Sequence, residues 1–511
     1  MNQNLPEVLG YWARWQPEKT AVHCAGEEYT WRELDLRTDV LAGGLSARGV
    51  GPGDVVAILA VNCLEFVEVL FAALKLGAVV APLNIRWTGR ELAHPLRDSA
   101  AKVLLTEERF AGRVHEALST LPDLLVVTRD GGDGFTPLDA LRDGRTPPPA
   151  VDVAPDATAF MVYTSGTTGF PKGVLISHSN VIYAGIAKVV PNGLTPDDRL
   201  LVTNPLAYTS GCLTKFLQTG FMAGAASYLV DEFDAESTLE QIERHRITTM
   251  SSVPVIVERM MASPSFGVRD LSCLKKIWVG GAPVPPSLLA AWHDRGIPLV
   301  QAYGLTEVSG ACVLSLHAGE AGSKAGFAGR AMLFHSVRIA RPDGSTAEPG
   351  EVGQILIKGP AVMKGYHGLP EESRAALAGG WLHTGDLGLR DDEGYIKIVD
   401  RSGDMLISGG LNVYPAEIER ALAGLSGVEE LAVIGVSDPR WGQVPLMVVP
   451  DAARVDRDAL VLRCRSALAD YKRPSAVVGF GGPLPRTLSG KIEKNLLRQR
   501  FKDVPSDAVR L

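Results

Sequence analysis

Residues Asp54 to Leu83 read DVVAILAVNCLEFVEVLFAALKLGAVVAPL, and the apolar spacing changes twice along them. Asp54 to Val61 is an apolar run of strand length. Glu65 to Gly77 has helical spacing closed by a glycine, and Ala78 to Leu83 is continuously apolar again. That order predicts a βαβ unit. Asn62, Glu65, Glu68 and Lys75 interrupt the stretch, so it contains no uncharged run of bilayer length. Similar strand-length runs follow at 101–106 (AKVLLT), 123–128 (DLLVVT), 159–166 (AFMVYTSG), 225–230 (AASYLV), 275–281 (KKIWVGG) and 298–304 (PLVQAYG), with helix-like segments such as 238–246 (TLEQIERHR) between them. Alternation of this kind predicts an α/β fold of mostly parallel, helix-covered sheets.

From about Gly326 the pattern shortens to VRIARPDG (337–344) and EVGQILIKG (351–359), set off by Pro and Gly turn signals, which predicts a small β-rich subdomain over about 326–400. The polar Asp400 to Asp404 segment then separates a compact α+β pattern. Its helices are at 415–424 and 458–470 and its strands at 431–436, 445–449 and 475–480. We expect two domains, 1–400 and 401–511.

At 511 residues the chain is long enough for several units. Lys plus Arg number 51 against 58 Asp plus Glu, and the net charge of −7 has no basic patch of the kind a nucleic-acid binder needs. A hydrophobic content of 46% with 21% charged residues excludes a largely disordered chain. The six cysteines stand singly, giving neither a zinc motif nor a disulfide framework. The N-terminus lacks the basic and apolar regions of a secretory signal. A cytoplasmic protein with no transmembrane segment is expected.

The chemistry is concentrated in Tyr163 to Gly173, YTSGTTGFPKG, directly after an apolar run. Small hydroxyl and glycine residues let backbone N–H groups converge on phosphate oxygens, and Lys172 adds a positive charge. A Walker A loop is excluded, because counting from Gly166 places Pro171 at the second glycine and Gly173 where the magnesium-binding hydroxyl belongs. With GGAP (280–283), QAYGLTE (301–307), WLHTGDL (381–387), Asp400-Arg401 and PRTLSGK (485–491), the loop resembles the acyl-adenylate-forming superfamily, which includes acyl-CoA synthetases, luciferases and peptide-synthetase adenylation domains. The segments occur in family order from Tyr163 to Lys491.

The resemblance implies ATP-dependent activation of a carboxylic acid to acyl-AMP with release of pyrophosphate, then transfer to coenzyme A. ATP, Mg²⁺ and coenzyme A are the implied cofactors and co-substrates. Thr164, Ser165, Gly166, Thr167, Thr168, Gly169 and Lys172 would hold phosphates; Glu307 would ligate Mg²⁺ and Thr306 would contact the α-phosphate. Tyr303 and Gly304, with Gly281, Ala282 and Pro283, would lie along the nucleotide, and Asp386 and Arg401 would bind the ribose hydroxyls. Lys491 would bridge carboxylate and α-phosphate. Gly409, Gly410 and Leu411 would line the pantetheine passage. Gly403 aligns with the pivot of a C-terminal domain that rotates between the two half-reactions, although relatives commonly have Asp or Lys there.

The acid pocket by the same resemblance comprises Tyr208, Thr209, Ser210, Val253, Gly280, Gly304 and Cys312. Gly304 replaces the Trp that blocks the pocket of acetate-activating relatives. No acid in PLAYTSG (205–211) would hold an amino-acid ammonium, and Ala207-Tyr208 replace the Phe-His pair of many ligases. A medium- or long-chain fatty acid is favoured; an aryl acid, loading of a carrier protein in place of coenzyme A, and, remotely, a non-catalytic nucleotide-binding module stay open, as does homo-oligomerisation.

Overall fold

The computed structural model describes the chain except residues 1–2, 119–120, 122, 133, 143–147, 165–170, 282–283, 311–312, 402, 409–410, 440, 469 and 487–490. It divides into two compact units, residues 1–337 with 357–382, and residues 338–356 with 383–511.

In the first unit, Val55–Ile58 and Val79–Pro82 pair in parallel, joined by the helix Leu64–Lys75. The helix is buried almost all round, with Phe66 and Phe71 both at 0% exposure, because its sheet lies on one side and the helix Trp31–Ala47 packs on another. Each such side chain contributes about 1.5–3 kcal/mol on leaving water. Gly77 turns the chain at φ +68°, where a side chain would be strained. This unit extends into an eight-stranded, mainly parallel sheet that continues through the antiparallel hairpin Thr158–Thr164 and Lys172–Ser177 to the edge strand Gly365–Tyr366.

A nine-stranded sheet forms the rest of the first unit. Its parallel strands Arg199–Val202, Thr249–Ser252, Lys276–Gly280 and Leu299–Tyr303 lie side by side. Side chains alternate across the sheet. Leu201, Met250, Ile277, Val279 and Leu299 enter one core with Leu239, Val257, Leu288 and Trp292 of the covering helices. Leu200, Ser251, Trp278 and Gly280 therefore face the other way. That second face is covered by the π-type helix Ser210–Phe221, whose Gly220 sits so close to Ser227 and Leu200 that a Cβ there would lie 2.2 Å from Ser227 Oγ.

The second unit holds most of a four-stranded sheet, Ser336–Ala340, Gly353–Lys358, Leu382–Arg390 and Ile396–Arg401, and a C-terminal sheet with helices on both faces. In the latter, Val433, Met447 and Val477 pack on Ile418, Leu422 and Leu460, while Ile434, Leu446 and Val478 pack on Leu497 and Phe501. Strand alternation alone produces these two cores. The fold is α/β with parallel sheets, as expected. Among the described residues, the five cysteines Cys24, Cys63, Cys212, Cys273 and Cys464 are free thiols, and no helix is long and apolar enough to cross a membrane.

Candidate active site

The hairpin register sets Thr164 opposite Lys172, so both residues flank the glycine and hydroxyl loop. Ser165, Gly166, Thr167, Thr168 and Gly169 lie outside the described residues. The hairpin is anchored from below: Tyr163 Oη donates to Asp98 Oδ2 at 2.7 Å, and burial together with this carboxylate pushes the phenol pKa up. On the other side, Lys172 Nζ lies 5.4 Å from the Tyr366 ring centroid, and Tyr366 Oη donates to Glu307 Oε1 at 3.1 Å. Burial, then the neighbouring Glu307 charge, raises the Tyr366 pKa, so the phenol stays a donor at neutral pH.

Glu307 belongs to the single 3₁₀ turn Thr306–Val308, whose exit at Ser309 adopts φ +60°. The turn is fixed from outside by the Met363 N–H, which donates to Glu307 O at 2.8 Å, and by Ser309 Oγ, which donates to Ala361 O at 2.8 Å. Thr306 Oγ1 is 2.9 Å from Thr209 Oγ1 at the start of the π-type helix. The structure thus brings together Lys172, the adjacent Thr306 and Glu307, and Thr209 from three separate segments, with Tyr366 from a fourth.

Gly280 and Gly281 follow on the adjoining strand end. A Cβ on Gly280 would stand 2.8 Å from Ala302 O, and Gly281 has φ +85° with Val253 Cγ1 as nearest neighbour to such a Cβ, at 3.7 Å. Both positions require glycine, and they set Val253 beside the strand end. Tyr303 is half-buried at the end of Leu299–Tyr303 and Gly304 is exposed after it. Tyr208 Oη donates to Asn84 Oδ1 at 3.0 Å, and Ser210 Oγ accepts from Asn204 Nδ2 at 3.0 Å. The phenol of Tyr208 is therefore already engaged with the first unit's own frame. Ala282, Pro283 and Cys312 lie outside the described residues.

In the second unit, Asp386 is buried and stands directly opposite Arg401 in the antiparallel register, so the two backbones are neighbours. Asp400 Oδ2 accepts from the Ala416 N–H at 3.0 Å, tying the strand end to the next helix. Gly403 is exposed, with φ outside the left-handed region and open space where a Cβ would be. Just beyond it, Asp404 pairs with Arg498 of the helix Lys494–Arg500. Lys491 is exposed, next to Ile492, which forms an antiparallel bridge with Arg486; Thr487 to Gly490 lie outside the described residues. Ser408 pairs with Leu411 across a hairpin; Gly409 and Gly410 lie outside the described residues.

Glu307 offers a hard carboxylate oxygen, the donor type that suits Mg²⁺. Among the described residues, no group of three or more His, Cys, Asp or Glu side chains forms a metal cage. A cation at Glu307 would complete its shell with phosphate oxygens and water, which is how Mg²⁺ commonly binds. The residues present fit the ion.

Sequence reasoning missed Tyr366, because a tyrosine in KGYHG has no periodic or motif signal. It also gave no sign that Lys188 packs its ammonium on Trp278. Trp278 reads as strand core until the register shows which face it occupies.

Two family descriptions match the chain: AMP-binding enzyme over residues 9–367, and AMP-binding enzyme C-terminal domain over residues 417–491. Feruloyl-CoA synthase of an Amycolatopsis species is 42% identical over 96% of this chain and 99% of its own length. Long-chain-fatty-acid–CoA ligase FadD13 of Mycobacterium tuberculosis is 37% identical, covering 92% and 93%. Among solved structures, o-succinylbenzoate CoA synthetase (MenE) from Bacillus subtilis, in complex with the acyl-adenylate intermediate OSB-AMP, superposes with a TM-score of 0.88 at 31% identity, over 99% of both chains.

Proposed function

The chain belongs to the AMP-binding enzyme family, and from that premise we propose that it is an acid–thiol ligase that converts a carboxylic acid, ATP and coenzyme A into acyl-CoA, AMP and pyrophosphate. In the first half-reaction a carboxylate oxygen attacks the α-phosphorus, the bond to the β-phosphate oxygen breaks, and pyrophosphate leaves. In the second, the coenzyme A sulfur attacks the acyl carbon, AMP leaves and the thiol proton is lost. The observation that carries this reading is the convergence of Lys172, Glu307 and Thr306, joined through Tyr366 and held by Thr209.

The chain's own residues supply position and charge. Lys172 and Thr164, with the loop between them, take the β- and γ-phosphates. Thr306 contacts the α-phosphate, held in place by Thr209. Mg²⁺ bound at Glu307 would neutralise charge on the phosphates, and Tyr366 orients that carboxylate. Tyr303, Gly281 and Gly304 flank the nucleotide, while Asp386 and Arg401 take the ribose hydroxyls. Lys491 stabilises the charge that develops between carboxylate and α-phosphate. Residues 401–511 form the domain that turns about Gly403, bringing Leu411 and its glycines to the pantetheine arm. Coenzyme A is the acceptor in this reading, with a carrier protein as the rival. ATP and coenzyme A as reactants fit a cytoplasmic setting.

For the acid, the substrate class we propose is an aryl acid. The buried Trp278 shares the face of Gly280 two residues further in, about 7 Å along the strand. A flat ring would span that distance, whereas an extended acyl chain would meet the indole. The similarity to feruloyl-CoA synthase supports the same reading. A medium- or long-chain fatty acid is the second reading, supported by the similarity to FadD13. Acid-dependent exchange of labelled pyrophosphate into ATP, without coenzyme A, tests the first half-reaction. Exchange with aryl acids is expected; none with any aryl or fatty acid contradicts the proposal.

A further inference from the structure

Both stems of the phosphate loop, Thr158–Thr164 and Lys172–Ser177, are tied to one helix, Gly89–Asp98. On the incoming side Tyr163 Oη donates to Asp98 Oδ2 at 2.7 Å; on the outgoing side the Pro171 carbonyl accepts from His94 Nε2 at 3.1 Å. A carbonyl can only accept, so this ring nitrogen carries the hydrogen. His94 and Asp98 are four residues apart and therefore share a face of the helix. The His94 ring stands edge-on to the Tyr163 ring, with centroids 6.4 Å apart. His367 closes the brace: its Nε2 donates to Asp98 O at 3.0 Å and its backbone N–H to Gly173 O at 2.7 Å. Glycine at position 173 permits that approach, since a Cβ there would lie 3.3 Å from His367 Cβ and 3.1 Å from Met161 Cγ.

Side-chain packing is incomplete where the outgoing stem meets the helix. A cavity of about 170 Å³ opens there, lined by His94, Asp98, Lys172, His367 and Glu372. The hydrogen bonds across it therefore fix the spacing. The same outgoing stem carries Lys172, and His367 directly follows Tyr366, whose ring lies under the Lys172 ammonium. The brace thus reaches both cations and carboxylates of the site without belonging to it.

We propose that His94, Asp98 and Tyr163 are positioning residues for the pyrophosphate part of ATP: they set the separation of the two stems, and with it the place of Thr164 and Lys172. The inference rests on the reading of this loop as the site of the β- and γ-phosphates. A shift of about 1 Å in a group that holds a reactant can cost about 100-fold in rate, even when the altered residue is remote from the chemistry. AMP has neither of these phosphates, so its binding is independent of the brace, whereas a general loosening of the protein would weaken AMP as well.

The test measures dissociation constants of the full-length chain for Mg²⁺–ATP, pyrophosphate and AMP by calorimetry, with no acid present. Tyr163→Phe, Asp98→Ala and His94→Ala should each weaken ATP and pyrophosphate about tenfold and change AMP by less than about twofold. Asp98→Asn, whose amide oxygen still accepts from Tyr163, and His94→Gln, whose amide nitrogen can still donate to Pro171 O, should recover most of that loss. Tyr163 and Asp98 share one bond, so the variant carrying both Tyr163→Phe and Asp98→Ala should bind ATP no more weakly than Asp98→Ala alone. If Asp98→Ala fails to fold, Tyr163→Phe, which removes a single oxygen atom, decides. Equal weakening of ATP and AMP, or unchanged ATP and pyrophosphate affinity in a folded variant, overturns the inference while leaving the phosphate-loop reading standing. A wild-type chain that binds AMP but neither ATP nor pyrophosphate overturns both.

Discussion

Tyr366 Oη donates to Glu307 Oε1 at 3.1 Å while its ring lies under the Lys172 ammonium, so one aromatic residue links the cation of the phosphate loop to the carboxylate assigned to Mg²⁺. A hydrogen bond to a charged acceptor is worth about 1.5–3 kcal/mol. Tyr366→Phe keeps the ring and removes only that bond. The Mg²⁺ concentration for half-maximal pyrophosphate exchange should rise about tenfold, with a smaller change at saturating Mg²⁺. An unchanged Mg²⁺ titration would show that Tyr366 only packs.

Lys491 is assigned to the adenylation step alone. Lys491→Ala should lower acyl-AMP formation by about 10²–10³-fold. The same variant supplied with acyl-AMP and coenzyme A should still form thioester near the wild-type rate. Equal loss in both half-reactions would remove the division of labour assigned to residues 401–511.

The connector is held on its C-terminal side. Asp404 pairs with Arg498, and Lys494 pairs with Glu419 at 2.8 Å. Burial pulls the Lys494 ammonium pKa down, but Glu419, Asp404 and Asp400 together hold it above its ordinary value. Gly403, by contrast, has open space where a side chain would sit. Gly403→Ala should therefore melt within a degree or two of wild type. Gly403→Pro, which fixes φ, should slow thioester formation more than adenylation when the two are followed separately. Parallel loss would argue against a pivot at this position.

In the proposed aryl-acid reading, Trp278 limits the depth of the acid face. Trp278→Ala should cost about 3–5 kcal/mol of stability, as large-to-small changes in a packed core do, and should shift the acid preference toward longer substrates. Pyrophosphate exchange across fatty acids of graded length reads the shift directly. A variant with an unaltered profile would place the substrate elsewhere.

Much of the fold was legible because strand and helix periods differ and because glycines punctuate them. Asp54 to Leu83 announced a βαβ unit, and Val55–Ile58, Leu64–Lys75 and Val79–Pro82 form it. The helix Ser210–Phe221 was not legible. It is buried on nearly all sides, and polar side chains along it bond inside the protein: Gln218 Nε2 donates to Ser309 O at 2.6 Å, and Lys215 donates to Asn204. A buried helix with internal polar contacts has no apolar stripe to read. The site divides in the same way. Lys172 and Glu307 stand in contiguous motifs, whereas Tyr366 meets both through the pairing of Gly365–Tyr366 with Lys172–Ser177, which a linear pattern does not encode.

The most direct test of the central claim is pyrophosphate release with ATP and Mg²⁺ across aryl acids and fatty acids of graded length, each with and without coenzyme A, with the thioester product identified by mass. The account predicts sustained release only when an aryl acid and coenzyme A are both present, with one acyl-CoA formed per pyrophosphate. Acid-dependent release that coenzyme A does not stimulate, or release with no acid at all, would contradict it.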